Sequence, residues 1–189
     1  MKRLYFILVL WIGKFGNVLC KIFHKSGTMI SGKVAVKLQK NFVKYFRNID
    51  YDKVIFITGT NGKSTTTNLV SHTVKMAGKK VATNTEGANM MSGVATTLIK
   101  NSSLFGKFNK EFLILEIDER SLRNIFKVLP AKNLCITNLQ KDQVQGNGDP
   151  DFIYQMFKGA VNKDVTLFVN NEEPRSRSLE DYVGKVVYY

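Results

Sequence analysis

The sequence predicts an α/β fold: a mostly parallel sheet of the phosphate-loop type, flanked by helices and preceded by two N-terminal helices. Three observations carry that prediction. Short β-branched and aromatic runs recur through residues 51–189, each the length of a buried strand. The first, Val54-Ile55-Phe56-Ile57-Thr58, runs straight into Gly59-Thr60-Asn61-Gly62-Lys63-Ser64 and then a helical stretch. Residues 1–50 instead carry apolar positions at helical spacing, so they form a separate N-terminal helical segment ahead of a domain at 51–189.

The elements follow in order. Leu4 to Ile12 is an unbroken apolar run behind Lys2 and Arg3. It is too short to span a bilayer, which needs about 20 apolar residues. No small-x-small cleavage site follows it. The pattern continues as one stripe: Leu4, Ile7, Leu8, Trp11, Ile12, Phe15, Val18, Leu19, Ile22 and Phe23. Three readings stay open: a helix packed on the protein through that stripe, an interfacial helix resting on anionic lipid, or a signal-like segment. Ser26-Gly27 and Ser31-Gly32 break the pattern. Ser31 then caps a second helix to about Phe46, with Val34, Leu38, Val43 and Phe46 as its buried face. Strands are expected near 53–58, 80–83, 111–117, 133–137 and 164–170. Helices are expected from Thr65 to Met76 and, capped by Asp149 with Pro150 following, from Asp151 to Ala160.

Composition narrows the partners. Lys and Arg number 28 against 15 Asp and Glu, a net charge of +13, which suggests an anionic partner beside the default reading of a solvated basic surface. The basic residues are scattered, and no nucleic-acid-binding signature accompanies them, so nucleic acid is not expected. Cys20 and Cys135 are too few for a disulfide framework or a four-thiolate zinc site, so no zinc is expected in this chain.

The chemistry concentrates in the loop. Gly59 and Gly62 let the backbone approach a phosphate without a Cβ in the way. Successive N–H groups at the start of the following helix point at the anion. Lys63 offers a positive charge to the β- and γ-phosphates, and Ser64 a hydroxyl to Mg²⁺. The spacing is shorter than the general G-x-x-x-x-G-K-[ST] pattern, whose first glycine would fall on Ile57.

Read in full, Thr58 to Thr67 resembles the ATP-binding signature of the Mur ligase superfamily. Asn84-Thr85-Glu86-Gly87-Ala88-Asn89-Met90, Glu116-Ile117-Asp118-Glu119, Ile136-Thr137-Asn138-Leu139, Lys141-Asp142-Gln143 and Asn170-Asn171-Glu172-Glu173-Pro174 follow in order. This set resembles the family of synthetase subunits of lipid II isoglutaminyl synthase. That resemblance implies an ATP-dependent amide ligase with Mg²⁺. It would activate the D-glutamate α-carboxylate of lipid II as an acyl phosphate, for amidation to D-isoglutamine. Ammonia would come from a GatD-like glutaminase docked on a C-terminal portion not found here. The place of work would be the cytoplasm, at the inner face of the plasma membrane.

The resemblance also implies site residues. Lys63 and Glu116 are the catalytic candidates. Gly59, Thr60, Asn61, Gly62, Lys63, Ser64 and Thr65 cradle ATP, and Asn138 contacts nucleotide or holds the loop. Ser64 and Glu116 hold the metal. Glu86, Asn89 and Gln143 are substrate candidates, with Gln143 standing where the superfamily usually has His. Asp118 and Glu119 are read as more ordinary caps of the next helix. Two departures stand out. Val144 to Asp149 lacks the family's Asp-Arg pair and aromatic residue, and Asn170 to Pro174 replaces N-A-D-D-P. The family also continues into a four-cysteine zinc ribbon and a C-terminal domain. The expectation is thus an N-terminal portion that holds ATP and Mg²⁺ weakly and cannot complete amidation alone. The rival readings are another Mur ligase or folylpolyglutamate synthase, or a non-catalytic nucleotide-binding or membrane module.

Overall fold

The computed structural model describes residues 1–22, 29–84, 88–139 and 150–189. Six parallel strands form one sheet: β1 (Val54–Thr58), β2 (Val81–Thr83), β3 (Phe112–Glu116), β4 (Asn133–Ile136), β5 (Thr166–Val169) and β6 (Lys185–Tyr188). Their order is β2-β3-β1-β4-β5-β6. β1 lies between β3 and β4, with Ile57 opposite both Glu116 and Cys135. The chain first moves outward from β1 to β2, then returns through β3 and crosses to β4. The carboxyl end of β1 is therefore the switch point where open α/β sheets take their ligands.

The strands are short and rich in β-branched and aromatic residues because both faces of the central ones are covered. Val54, Phe56 and Ile57 of β1 are fully buried, and Phe56 meets Phe126 edge-on at 5.0 Å. Helix α3 (Lys63–Met76) follows β1 and packs on β1, β2 and β3. Helix α4 (Met91–Lys100) joins β2 to β3, and seven of its residues are buried. Short helices α5 (Leu122–Phe126), α6 (Pro150–Lys158) and α7 (Pro174–Arg177) complete the connections. The five expected strands are present with slightly shorter bounds. β6, α4, α5 and α7 are additional to the sequence reading. Asp149, the expected cap of α6, lies outside the described residues, as do Phe23, Ser26 and Gly27.

The N-terminal segment corrects two expectations. Helix α1 (Lys2–Ile22) buries Phe6, Val9 and Leu10, whereas the stripe residues Leu4, Leu8, Trp11, Ile12, Phe15 and Val18 are exposed. The helix is apolar almost all round, so a helical period alone does not say which arc packs. Phe6 decides it. Its ring stands 5.1 Å from Phe42, 5.1 Å from Phe46 and 5.8 Å from Tyr45, an aromatic cluster that draws the Phe6 side inward.

Helix α2 is the second correction. It spans only Ile30–Leu38, and a separate 3₁₀ turn covers Phe42–Tyr45. Ser31 sits inside the helix, buried, rather than capping it, and its hydroxyl faces that of Thr96 at 3.4 Å. Val34 and Leu38 are exposed; Ser31, Gly32 and Ala35 form the buried face. The reason is close helix packing against α4. A Cβ on Gly32 would lie 1.9 Å from the Ser92 carbonyl oxygen, so only small residues fit that face. Val43 and Phe46 are buried as expected. The buried residues of α1, α2 and α4 are continuous with those of the sheet in one hydrophobic cluster.

Candidate functional site

The site assembles at the carboxyl end of β1, where strand backbone, loop and helix N-terminus meet. Gly59 has φ of +128° and Gly62 of +80°, conformations that side chains resist. Gly59 also has no room to change: a Cβ there would lie 2.3 Å from Thr137 Oγ1 and 2.7 Å from the Asn138 carbonyl oxygen. The loop is thereby pressed against the end of β4. The Thr60 N–H donates to the Asn138 carbonyl (3.0 Å), and the Asn61 N–H to Asn138 Oδ1 (3.0 Å). Asn138 Nδ2 returns a bond to the Asn61 carbonyl (3.1 Å), where the Thr137 hydroxyl also donates (2.6 Å). Asn138 thus holds the loop in this structure. Thr137 does the same from the neighbouring position, a role the sequence reading did not give it.

Gly62 is the N-cap of α3, so the N-cap residue offers no side-chain cap, and the first turn carries no acidic group. Ser64 and Thr65 are exposed there. Among the described residues the positive end of the helix dipole is thus uncapped by any acidic first-turn group and lies beside Lys63, the arrangement that receives a phosphate.

Two carboxylates complete the cluster. Glu116, the last residue of β3, is only 3% exposed. Its Oε2 accepts from the Ser64 hydroxyl at 2.7 Å and its Oε1 from Asn89 Nδ2 at 3.3 Å. Its backbone is locked by Asn84, which accepts from the Glu116 N–H (2.8 Å) and donates to the Glu116 carbonyl (2.8 Å). A buried carboxylate so held keeps its oxygens aimed at Ser64. Lys63 Nζ pairs with Glu119 Oε1 at 3.0 Å and donates to the carbonyls of Gly59 and, at 3.2 Å, Thr60. Both charged side chains are mostly buried, 16% and 14% exposed.

Sequence reasoning treated Glu119 as a cap and gave Asn84 no role. The signal for both lay in their motifs: Asn84 opens the Asn-Thr-Glu-Gly-Ala-Asn run, and Glu119 closes Glu-Ile-Asp-Glu. Asp118 does behave as a turn residue, its Oδ1 accepting from the Arg120 N–H at 3.1 Å. Of the substrate candidates, Asn89 stands in the cluster. Glu86 and Gln143 lie outside the described residues.

The donor set suits magnesium. One buried carboxylate and one hydroxyl, both hard oxygens 2.7 Å apart, leave the remaining positions for phosphate oxygens and water, which is how Mg²⁺ is usually bound. Among the described residues no group of three or more His, Cys, Asp or Glu forms an all-protein metal cage.

The Mur ligase middle domain family matches residues 57–188. The MurT subunit of lipid II isoglutaminyl synthase (glutamine-hydrolyzing) from Staphylococcus aureus strain COL is 30% identical over 179 residues, covering 94% of this chain and 40% of that protein. Its Streptococcus pneumoniae counterpart is 35% identical over 150 residues, 78% of this chain and 33% of that one. The chain thus spans well under half the length of these relatives. Among solved structures, MurF ligase from Thermotoga maritima in complex with ADP superposes with a TM-score of 0.63 at 17% identity, over 84% of this chain and 36% of that chain, a likeness of fold. With the family's middle domain matched from β1 to β6, and with this phosphate loop where that domain begins, the chain belongs to the Mur ligase family.

Proposed function

We propose that this chain is the ATP-holding part of a MurT-like amide ligase. Its substrate would be the D-glutamate α-carboxylate of lipid II, and its product the D-isoglutamine form used in peptidoglycan synthesis. The observation that carries the reading is the convergence of Lys63, Ser64 and buried Glu116 on the open N-terminus of α3. In the proposed reaction a carboxylate oxygen attacks the γ-phosphorus of ATP, the bond to the bridging oxygen breaks, and ADP departs. Ammonia from a GatD-like glutaminase then adds to the carbonyl of the acyl phosphate, and phosphate leaves. Further chain, of the kind its relatives carry, would dock that glutaminase.

The chain's own residues have definable parts in this. The N–H groups at the start of α3, from Gly62 to Thr65, hold the phosphates on a loop that Asn138 braces, and Lys63 exchanges its Glu119 and carbonyl partners for phosphate oxygens. Ser64 and Glu116 would hold Mg²⁺, which when bound offsets the phosphate charge. Asn89 keeps Glu116 oriented on the side from which the acceptor carboxylate enters, with Glu86 and Gln143 as further substrate contacts. The proposed setting is the cytoplasm, where ATP and the lipid-linked substrate meet.

The test is calorimetry of ATP with the full chain, with and without Mg²⁺, beside Lys63→Ala. Saturable, Mg²⁺-dependent binding is expected. Lys63→Ala should weaken it by roughly ten- to a hundredfold, since a charge-assisted hydrogen bond contributes about 1.5–3 kcal/mol. A folded wild-type chain that binds no ATP overturns the reading. Production of carboxamide on adding the C-terminal portion of a relative and a glutaminase tests the substrate assignment.

A further inference from the structure

Helix α1 is long and apolar enough by composition to cross a membrane, from Lys2 to Cys20. In the structure it packs on the domain instead. One side is seated on the domain through Phe6, Val9 and Leu10, and the Lys14 ammonium donates to the carbonyls of Ile99 (2.7 Å) and Ser102 (2.6 Å). What remains outside is an apolar arc at three- and four-residue spacing: Leu4, Leu8, Trp11, Ile12, Phe15 and Val18, between 47% and 66% exposed.

Neighbouring elements widen the arc rather than fence it. The Tyr5 hydroxyl donates to the Leu38 carbonyl at 3.0 Å, which brings the exposed row Ile30, Val34 and Leu38 of α2 alongside. Trp11 Nε1 donates to the Leu104 carbonyl at 2.9 Å, which brings exposed Leu104 and Phe105 to the other flank. An exposed apolar surface made by three elements is larger than scattered surface leucines need be, and marks a docking face.

Charge says what docks. Residues 1–49 contain ten Lys and Arg and no acidic residue; Asp50 is the first in the chain. Lys33 and Lys37 are exposed on α2 next to its apolar row, and Lys40 and Lys44 are exposed just beyond it. An apolar helix face whose own segment, residues 1–49, carries cations and no acidic residue, with Trp11 and Tyr5 offering ring and polar tip, fits the headgroup boundary of an anionic bilayer. We propose that the outer face of α1, with the exposed row of α2, lies in the plane of an anionic membrane surface as a peripheral docking face. This rests on the exposed face and its charge, not on the nucleotide site. It also sharpens the functional reading, because α2 packs on α4, whose approach carries Asn89 of the phosphate cluster. A membrane under α1 would hold that cluster close to a lipid-linked substrate.

The test is co-sedimentation of the full chain with vesicles of phosphatidylcholine alone or mixed with phosphatidylglycerol, at low and high salt. Binding to the anionic vesicles, weakened by salt, is expected. Leu8→Glu/Ile12→Glu changes only exposed positions and should reduce binding at least about tenfold. Lys33→Gln/Lys37→Gln/Lys40→Gln should reduce it by roughly a hundredfold, at about fivefold per lysine near the surface. Met76→Glu, exposed on α3, should leave it unchanged. Circular dichroism and ATP binding of each variant separate loss of docking from loss of fold or of the nucleotide site. The proposal is overturned if the folded wild type ignores anionic vesicles. It is equally overturned if Leu8→Glu/Ile12→Glu binds them as well as wild type, or if the face instead drives self-association that this variant abolishes without any vesicle binding.

Discussion

The phosphate loop and helix α1 are the two most conspicuous stretches of this sequence, and they reward reading in different ways. In the loop, each residue type answers a local demand. Gly59 and Gly62 take positive φ, Lys63 brings charge, Ser64 a hydroxyl, and the strand before and helix after set their direction. Nothing distant is needed to see it. In α1 the apolar residues form two arcs, one around Phe6, Val9 and Leu10 and one around Leu8, Ile12 and Phe15. Both have helical spacing. Which arc packs is settled by Phe42, Tyr45 and Phe46, more than thirty residues away. A motif fixed by backbone conformation is legible alone, whereas an amphipathic face is legible only when its opposite side is polar.

The sharpest way to break this comparison is to truncate each arc. Phe6→Ala removes a fully buried ring from an aromatic cluster and should cost about 3–5 kcal/mol. Leu8→Ala, on a half-exposed residue, should cost under about 1 kcal/mol. Urea unfolding of the two variants measures both. Equal costs would mean that the outer arc is covered in solution and that α1 does not sit as described.

How much was readable follows the same division. The first five strands were legible because short β-branched and aromatic runs mark buried parallel strands. β6 was not: Lys185-Val186-Val187-Tyr188 is a half-exposed edge strand at the end of the sequence, with no turn signal after it. α4 was missed because its interior carries Gly, Val and two Thr, weak helix formers whose small or compact side chains suit close packing against Gly32 rather than propensity. In the site, Lys63, Ser64 and Glu116 were legible as chemistry. Glu119 was not, since its meeting with Lys63 depends on how β3 lies beside β1. Asn84 was hidden for a similar reason: it acts on the Glu116 backbone across two strands.

The loop offers the next largest effect. Gly59→Ala places a Cβ against backbone and Thr137 at a φ that alanine avoids, so it should cost about 1–3 kcal/mol in thermal or urea unfolding. It should also weaken nucleotide binding, because Thr60 and Asn61 would leave their bonds to Asn138. A neutral Gly59→Ala would show that the loop is free of β4 and not the rigid cradle described.

Glu119 gives a smaller and more selective effect. It pairs with Lys63 in the structure, and in the proposed site it would repel an incoming phosphate. Glu119→Gln should therefore cost no more than about 1 kcal/mol of stability, since the pair is single and partly screened. The same change should tighten metal-free ADP binding by about fivefold, as one opposing charge is removed. Weaker ADP binding would mean that Glu119 positions Lys63 for phosphate rather than competing for it.

The smallest effect is in the titration of the sheet's far edge. The Tyr189 hydroxyl donates to the Ile136 carbonyl at 3.1 Å and lies against the Cys135 thiol, although most of the ring is exposed. Burial of the hydroxyl, with the neighbouring thiol, pushes the phenol up to about 12, and burial raises the Cys135 thiol as well. Both groups are neutral in the form the fold favours. An unfolded tyrosine titrates near 10, so its contribution is complete below about pH 10 and is lost as the pH rises toward 12. The thiol's contribution begins to fall earlier, above the ordinary thiol range near 8.5. Urea midpoints measured from pH 8 to 11.5 should thus decline more steeply for the wild type than for Tyr189→Phe. The difference should open only above about pH 10 and stay shallow, because the exposed ring lets water screen the charge. Parallel curves would mean that the hydroxyl has left the Ile136 carbonyl, and that β6 is held to β5 by its ladder alone.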